Sequence, residues 1–341
     1  MDTSKNQRVM AERRTYQHSK LDQKVAIQGS EHKQRKGGLI LKCVFSSQTS
    51  AVDGSQRLPV SHTNVKPPPI SKAQLRQQIE RLSPYKASGP DGIPNVVLQK
   101  SVNLIEDYLL QIYQAVIWTG AYVDAWREFT TIVLRKQGKP SYKDPKAYRP
   151  IALLSTLSKV FTAIIAKNVM RMVEKGRLLP DNHYEGRPGR MTTDAVHMLT
   201  DKIKKVWIKG KVVSILFLDV EGAFPNAVTD RLIHNLRKRR IPEAYVQVIW
   251  QILDGRCTKL RFDDFTSEII QIDNGIGQGD PLSMILYILY NADLLDIAQS
   301  PEEESLGYVD NALVLAEAKN FYETVEIISE FMNREDRGFD W

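Results

Sequence analysis

Apolar and polar positions along this chain switch between a helical period and short continuous runs, and the switches mark its elements. After Ser71-Lys72-Ala73-Gln74, which fits a capping box, Leu75, Ile79 and Leu82 recur at helical spacing. Ile105, Tyr108, Leu109, Ile112 and Val116 predict one inward face of a helix from Val102 to Ile117. Thr130 to Leu134 reads as a strand, followed by a basic loop that ends at Tyr148-Arg149-Pro150-Ile151. Leu157 to Val173 is amphipathic, with Phe161, Ile164, Ile165, Val169 and Met172 inward and Gly176 as the expected C-cap. Gly186-Arg187-Pro188-Gly189-Arg190 forces a turn, and Thr192 or Thr193 is placed to cap a helix running towards Trp207. Pro242 and Gly255 bracket a further helix, Arg256 to Phe262 and Glu268 to Asp273 read as a hairpin, and Pro281 to Ala298 and Asn320 to Met332 as helices. Helices and short strands alternate irregularly and no internal repeat is present, which predicts an α+β fold.

Two apolar runs carry acids at their ends. Val212 to Leu218 terminates on Asp219, and Tyr308-Val309-Asp310-Asn311 lies between short apolar runs as a hairpin with Asp310-Asn311 expected at its tip. Taken alone, Asp219 also fits a strand-end residue capping the next turn, and Asp310-Asn311 fits an ordinary surface turn. If the two strands are neighbours, Asp219 and Asp310 form a clamp for divalent ions. Two metals about 4 Å apart are a standard device for in-line nucleotidyl transfer. That points to a polynucleotide polymerase, with Asn311 standing where a third acid is expected.

Composition narrows the class. The chain has 341 residues, 42% hydrophobic and 26% charged, within the range of globular proteins. It has no apolar run near the ~20 residues of a membrane span, and its basic, polar start is unlike a secretory signal. Cys43 and Cys257 are the only cysteines, too few for a disulfide framework or a zinc cluster. An intracellular location is the expectation, with no membrane partner. Net charge is +7, most of it in a lead-in rich in Lys, Arg and Gln that runs through Pro67-Pro68-Pro69. Residues 1–70 are therefore expected to be a basic, disordered lead-in and linker. Arg127 to Arg149 is basic and the segment from Asp296 onward is acidic. Such asymmetry suits a protein that grips phosphates on one side, and ordinary charge scatter on a solvated surface fits equally.

Three further stretches bear on chemistry. Phe224, five positions after Asp219, has the bulk to sit under an incoming sugar and exclude a 2′-hydroxyl, and it also fits a core position. Gly275-Ile276-Gly277-Gln278-Gly279-Asp280 is a glycine-dense loop entering a helix, open to close backbone approach, without the Lys-Ser/Thr ending of a P-loop. Arg135, Lys136, Lys139 and Arg149, interleaved with Tyr142 and Tyr148, offer guanidinium and ammonium groups to a triphosphate or form a solvated loop.

In order, these pieces resemble a reverse transcriptase of the non-LTR (LINE-like) retrotransposon type, close to fungal elements. The resemblance runs from about Pro67 to the C-terminus. It rests on Lys86-Ala87-Ser88-Gly89-Pro90-Asp91-Gly92, Tyr148 to Ser155, Gly186 to Arg190, Asp219 to Phe224, Gly277 to Ser283 and Tyr308-Val309-Asp310. It implies a right-hand polymerase with fingers mainly in 71–160 and palm mainly in 161–341, interleaved, and with an antiparallel palm sheet. It implies two Mg²⁺ (or Mn²⁺) held by Asp219, Asp310 and the Val220 carbonyl, with Asn311 doubtful as a ligand. Phe224 would be the steric gate, and Arg149, Lys136 and Lys139 would hold the triphosphate. Gln278 and Gly279 would line the nucleotide pocket, and Tyr308 would lie near the primer end. The implied partners are an RNA template, a DNA primer and deoxynucleoside triphosphates. Three departures qualify it. The family has Asp-Asp where this chain has Asp310-Asn311, the chain stops before the family's later palm motifs and thumb, and no endonuclease precedes the fingers. An inactive remnant that binds nucleic acid is the alternative, and Phe224 argues against an RNA-copying viral polymerase.

Overall fold

The computed structural model describes residues 68–298 and 300–334. The basic lead-in lies outside the described residues up to Pro67, as do residues 335–341. Eight helices and eight strands are present among the described residues. The first helix, α1 (Lys72–Glu80), begins with the expected box: Gln74 N donates to Ser71 Oγ and Ser71 N donates to Gln74 Oε1.

Helix α2 (Asn95–Thr119) starts earlier than its apolar spacing predicts and presents a different face. Leu98, Leu109, Tyr113 and Val116 are buried, whereas Tyr108 and Ile112 are 69% and 42% exposed. At 100° per residue, the 109–113–116 stripe and the 108–112 stripe cannot both face one core. Helix α3 (Thr156–Gly176) buries Phe161, Ile164, Ile165 and Val169 as its pattern predicts, with Met172 half-buried. Burial of each such side chain contributes about 1.5–3 kcal/mol. Tyr113, Tyr122, Trp126 and Phe161 form one aromatic cluster with centroid separations of 5.2–6.2 Å, including edge-on contacts.

Gly176 is the last residue of α3 rather than its cap. Arg177 takes the left-handed conformation at φ 49°. The Arg177 side chain is exposed, so only its Cβ resists that conformation. Arg177→Gly is therefore expected to stabilise the protein by about 0.5–1 kcal/mol. A rise in the urea midpoint at constant m-value would show it, and no rise would remove the strain argument.

The strands form two four-stranded sheets. The first, in the order β2-β1-β5-β6, comprises β1 (Glu128–Arg135), β2 (Tyr148–Leu153), β5 (Arg256–Phe262) and β6 (Phe265–Ile272). The segment expected to be the end of a basic loop is thus an edge strand. Pro150 is tolerated in β2 because the strand's outer edge needs no donor. β1 runs parallel to β5, and the buried Thr131 and Thr258 hydroxyls join them at 2.8 Å.

The second sheet, in the order β3-β7-β8-β4, comprises β3 (His183–Tyr184), β4 (Val212–Asp219), β7 (Glu303–Tyr308) and β8 (Asn311–Ala318). It is antiparallel except at β3, which pairs in parallel with β7. One of its faces packs on helix α4 (Thr192–Ile208) through Ala195, Met198 and Leu199. The other packs on α7 (Ser283–Leu295) and α8 (Phe321–Met332) through Leu294, Leu295 and Phe331. Helices α5 (Thr229–Lys238) and α6 (Glu243–Leu253) complete the main core with α7, and α5 is an element the spacing analysis passed over.

The Gly186–Arg190 turn is held from inside. The buried Arg187 guanidinium forks onto Glu174 at 2.7 and 3.1 Å and also donates to the Pro180 carbonyl. Met191, not a threonine, is the N-cap of α4, and its N–H donates to Asp194 Oδ2. No helix among the described residues is long and apolar enough to cross a membrane.

Candidate active site

The two acid-tipped runs become neighbours. β4 and β8 pair antiparallel from Val212↔Ala318 to Asp219↔Asn311, so the acid ending the first strand stands opposite the residue opening the second. The hairpin between β7 and β8 closes at Tyr308↔Asn311. Its two loop residues are therefore Val309 and Asp310, and Asn311 belongs to the strand. This corrects the expected tip by one residue. Strand pairing resumes as soon as cross-strand bonds are available, and it leaves a two-residue turn. Val309 takes φ 55°, a left-handed conformation that a β-branched residue resists. Val220 N donates to the Asp310 carbonyl at 3.3 Å and ties the turn to the segment after Asp219.

Asp219 and Asn311 are exposed, and Asp310 is half-buried. Asn311 Nδ2 donates to Asp310 Oδ1 at 3.3 Å. Tyr287 of α7 is a fully buried phenol. Burial raises its pKa, and the negative charges of Asp310 and Asp219 add to the rise. Phe224 stacks on that ring at 5.0 Å and 26°. Among the described residues no three His, Cys, Asp or Glu side chains converge as a metal cage. Two carboxylates and the Asn311 amide are nevertheless the hard oxygen donors that suit a Mg²⁺-like ion completed by water.

The glycine-dense loop is built against the β2 end. Ala152 N donates to the Gln278 carbonyl at 2.7 Å. Gly279, at φ 122°, lies so near Ala152 that a Cβ would come 2.7 Å from its carbonyl oxygen. Gln278 and Gly279 are exposed at this junction. Ile276 N donates to the Phe224 carbonyl at 2.7 Å, so the loop also fixes the segment that follows Asp219. The buried Arg256 guanidinium donates to the Leu253 and Gly275 carbonyls, and burial lowers its pKa to about 10 against the opposing pull of Asp280. Burial likewise pushes the Asp280 carboxyl up. A small cavity of about 30 Å³ opens here, lined by Ala152, Pro225, Asn274, Gly277 and Gln278 among others.

The basic residues are less tightly gathered. Arg149 is exposed on β2, three residues before Ala152, and pairs in register with Leu134. Lys136 is half-buried where β1 ends, and its carbonyl accepts from the Tyr142 hydroxyl. Lys139 is exposed at the far tip of the β1–β2 connection. Sequence reasoning missed Lys146, whose ammonium reaches Glu221 at 2.8 Å and joins that connection to the segment carrying Asp219. Nothing in the spacing links those two residues. Tyr308 is half-buried, and its hydroxyl meets Thr192 Oγ1 at 2.6 Å at the start of α4.

The reverse transcriptase (RNA-dependent DNA polymerase) family matches residues 134–337. The probable RNA-directed DNA polymerase from transposon BS of Drosophila melanogaster is 30% identical over 226 residues, covering 66% of this chain and 25% of that protein. The probable RNA-directed DNA polymerase from transposon X-element of the same organism is 26% identical over 272 residues, covering 78% and 29%. The RNA-directed DNA polymerase from mobile element jockey of Drosophila funebris is 24% identical over 274 residues, covering 78% and 29%. The chain thus spans about a quarter of the length of these curated relatives. The matched stretch takes in Asp219, Phe224, the Gly277–Asp280 loop and the Val309–Asp310 turn, and on that coverage the chain belongs to the reverse transcriptase (RNA-dependent DNA polymerase) family.

Proposed function

We propose that this chain is the fingers-and-palm unit of a retroelement reverse transcriptase, extending a DNA primer on an RNA template with deoxynucleoside triphosphates. The observation that supports the reading is the Asp219↔Asn311 register, which makes the two acid-tipped runs neighbouring strands. The first sheet with α1 to α3 would serve as fingers, and the second sheet with α4, α7 and α8 as palm. Asp219, Asp310 and the Val220 carbonyl would hold two Mg²⁺ or Mn²⁺, which when bound supply activation of the primer hydroxyl and charge for the leaving pyrophosphate. The primer 3′-hydroxyl attacks the α-phosphorus, the bond to the pyrophosphate oxygen breaks, and one nucleotide is added.

The chain's own residues orient that reaction. Phe224 stacks on Tyr287, which would hold its ring against a 2′-hydroxyl. Arg149, with Lys136 and Lys139, would meet the triphosphate. Gln278 and Gly279 would line the base and sugar pocket, and Tyr308 would lie beside the primer end. Asn311 favours a second reading, an inactive remnant that binds nucleic acid. An amide contributes no negative charge, so the site offers one less charge to the cations than three acids would.

Metal-dependent incorporation on a primed RNA template separates the readings. Asp219→Ala is expected to lower incorporation by about a thousandfold, roughly 4 kcal/mol of transition-state stabilisation. Asn311→Asp is expected to raise it by about tenfold or more. Salt-dependent RNA binding with no incorporation by the natural chain or by Asn311→Asp would support the remnant.

A further inference from the structure

The hairpin turn that presents Asp310 is held by a side chain of α7. α7 is mostly apolar, yet Asn291, near its C-terminal end, is fully buried. A buried amide is costly unless it is hydrogen-bonded. Its Nδ2 donates to the main-chain carbonyl of Val309 at 3.0 Å, in a fully buried contact. Val309 is the residue at φ 55°, at a turn position that glycine usually fills. Such a conformation persists only where the surroundings over-determine it. Two contacts do so here. The Val309 side chain is buried in the main core, and its carbonyl is taken by Asn291. One helical turn earlier on α7 stands Tyr287, which stacks on Phe224, so this helix also supports the segment that follows Asp219.

We infer that Asn291 is a positioning residue: its hydrogen bond to the Val309 carbonyl locks the left-handed turn that aims the Asp310 carboxylate at Asp219. This inference rests on the proposed polymerase site. Without the bond, Val309 relaxes towards negative φ, and the peptide that carries Asp310 rotates out of register with Asp219. Val220 N then loses its carbonyl acceptor as well.

Asn291→Leu keeps the volume and removes the donor. Asn235→Leu is the matched control. Asn235 is equally buried and donates to the Tyr290 carbonyl of the same helix, but not to the turn. The first readout needs no metal. Hydrogen exchange of the full chain is expected to be about tenfold faster at residues 309–311 in Asn291→Leu, and not in Asn235→Leu. The second is Mn²⁺ titration followed by electron paramagnetic resonance. Affinity is expected to fall about tenfold in Asn291→Leu, and kcat of incorporation in the Asn311→Asp background to fall by a similar factor with the nucleotide KM unchanged. Equal exchange in parent and Asn291→Leu, or equal effects of both leucine variants, would overturn the inference. Mn²⁺ binding that is indifferent to Asp219→Ala would instead sink the polymerase reading, while the exchange data still decide whether Asn291 holds the turn.

Discussion

Gly275→Ala is expected to destabilise the protein by about 3 kcal/mol, because two independent penalties coincide there. Gly275 sits at φ 88°, where an L side chain costs roughly 1–2 kcal/mol. Its added methyl would also lie 2.4 Å from the Pro225 carbonyl oxygen and 2.9 Å from two other Pro225 main-chain atoms. Backbone atoms cannot rotate away as the end of a flexible side chain can, so relief means moving the whole loop, at about 1–3 kcal/mol. That movement pulls on three bonds at once: Gly275 N to the Ala227 carbonyl, Arg256 to the Gly275 carbonyl, and Ile276 N to the Phe224 carbonyl. Gly138→Ala is the control. It has the same left-handed strain at φ 76° with nothing near the added methyl, and is expected to cost about 1 kcal/mol. Urea midpoints that shift equally for both variants would show that the Pro225 contact is soft.

Stability is expected to fall by several kcal/mol as pH drops from 6.5 towards 3, with His183 the main cause. His183 is fully buried on β3, with neither ring nitrogen hydrogen-bonded in the folded chain. Burial, reinforced by the charges of Arg187, Arg239 and Arg190, lowers its pKa to about 3. The unfolded chain takes up the proton near pH 6.5 and the folded chain does not. The unfolded state therefore binds more protons throughout the window, and unfolding becomes easier as pH falls. The full difference is about 5 kcal/mol at 1.36 kcal/mol per pKa unit. Glu106, Asp293 and Glu317 hold lowered pKa values through basic partners, and their stabilisation is also lost in acid, but only below the ordinary carboxylate range. His234, lowered by burial, adds a smaller contribution of the same sign as His183. Between pH 6.5 and 5 the destabilising slope thus belongs mostly to histidine, opposed by Asp280, whose raised pKa favours proton uptake by the folded chain. His183→Leu is expected to flatten it, and an unchanged slope would assign the acid sensitivity elsewhere.

What the chain reveals before folding follows from the range of each signal. The capping box at Ser71 and the strand ending at Asp219 are local, and the structure has both. The β5–β6 hairpin is local too, apart from an earlier start to β6 at Phe265. The apolar spacing predicts the wrong face of α2 because Tyr108 and Ile112 are apolar yet lie off the buried stripe. Strand β2 was hidden by Arg149 and Pro150, residues that an edge strand accepts and a central strand does not. Matching the two acid-tipped runs predicts neighbouring strands, and β4 and β8 do pair, with Asp219 opposite Asn311. The supporting residues left weaker traces. Tyr287 and Asn291 read simply as part of an apolar helix, and Lys146–Glu221 is a long-range contact with no periodicity to betray it.

The register that unites the acids also sets an order of events during synthesis. Residues 212–219 leave the ribosome long before residues 311–318, which supply the neighbour along one edge of β4. β1 waits in the same way for β5. Pairings of such high sequence separation carry a large loop-closure cost and form slowly. Until β8 arrives, β4 is an apolar strand with both edges open, the feature that templates misassembly between chains. The nascent chain is therefore most exposed to aggregation in the interval between these two strands, and the two carboxylates meet only when that interval closes.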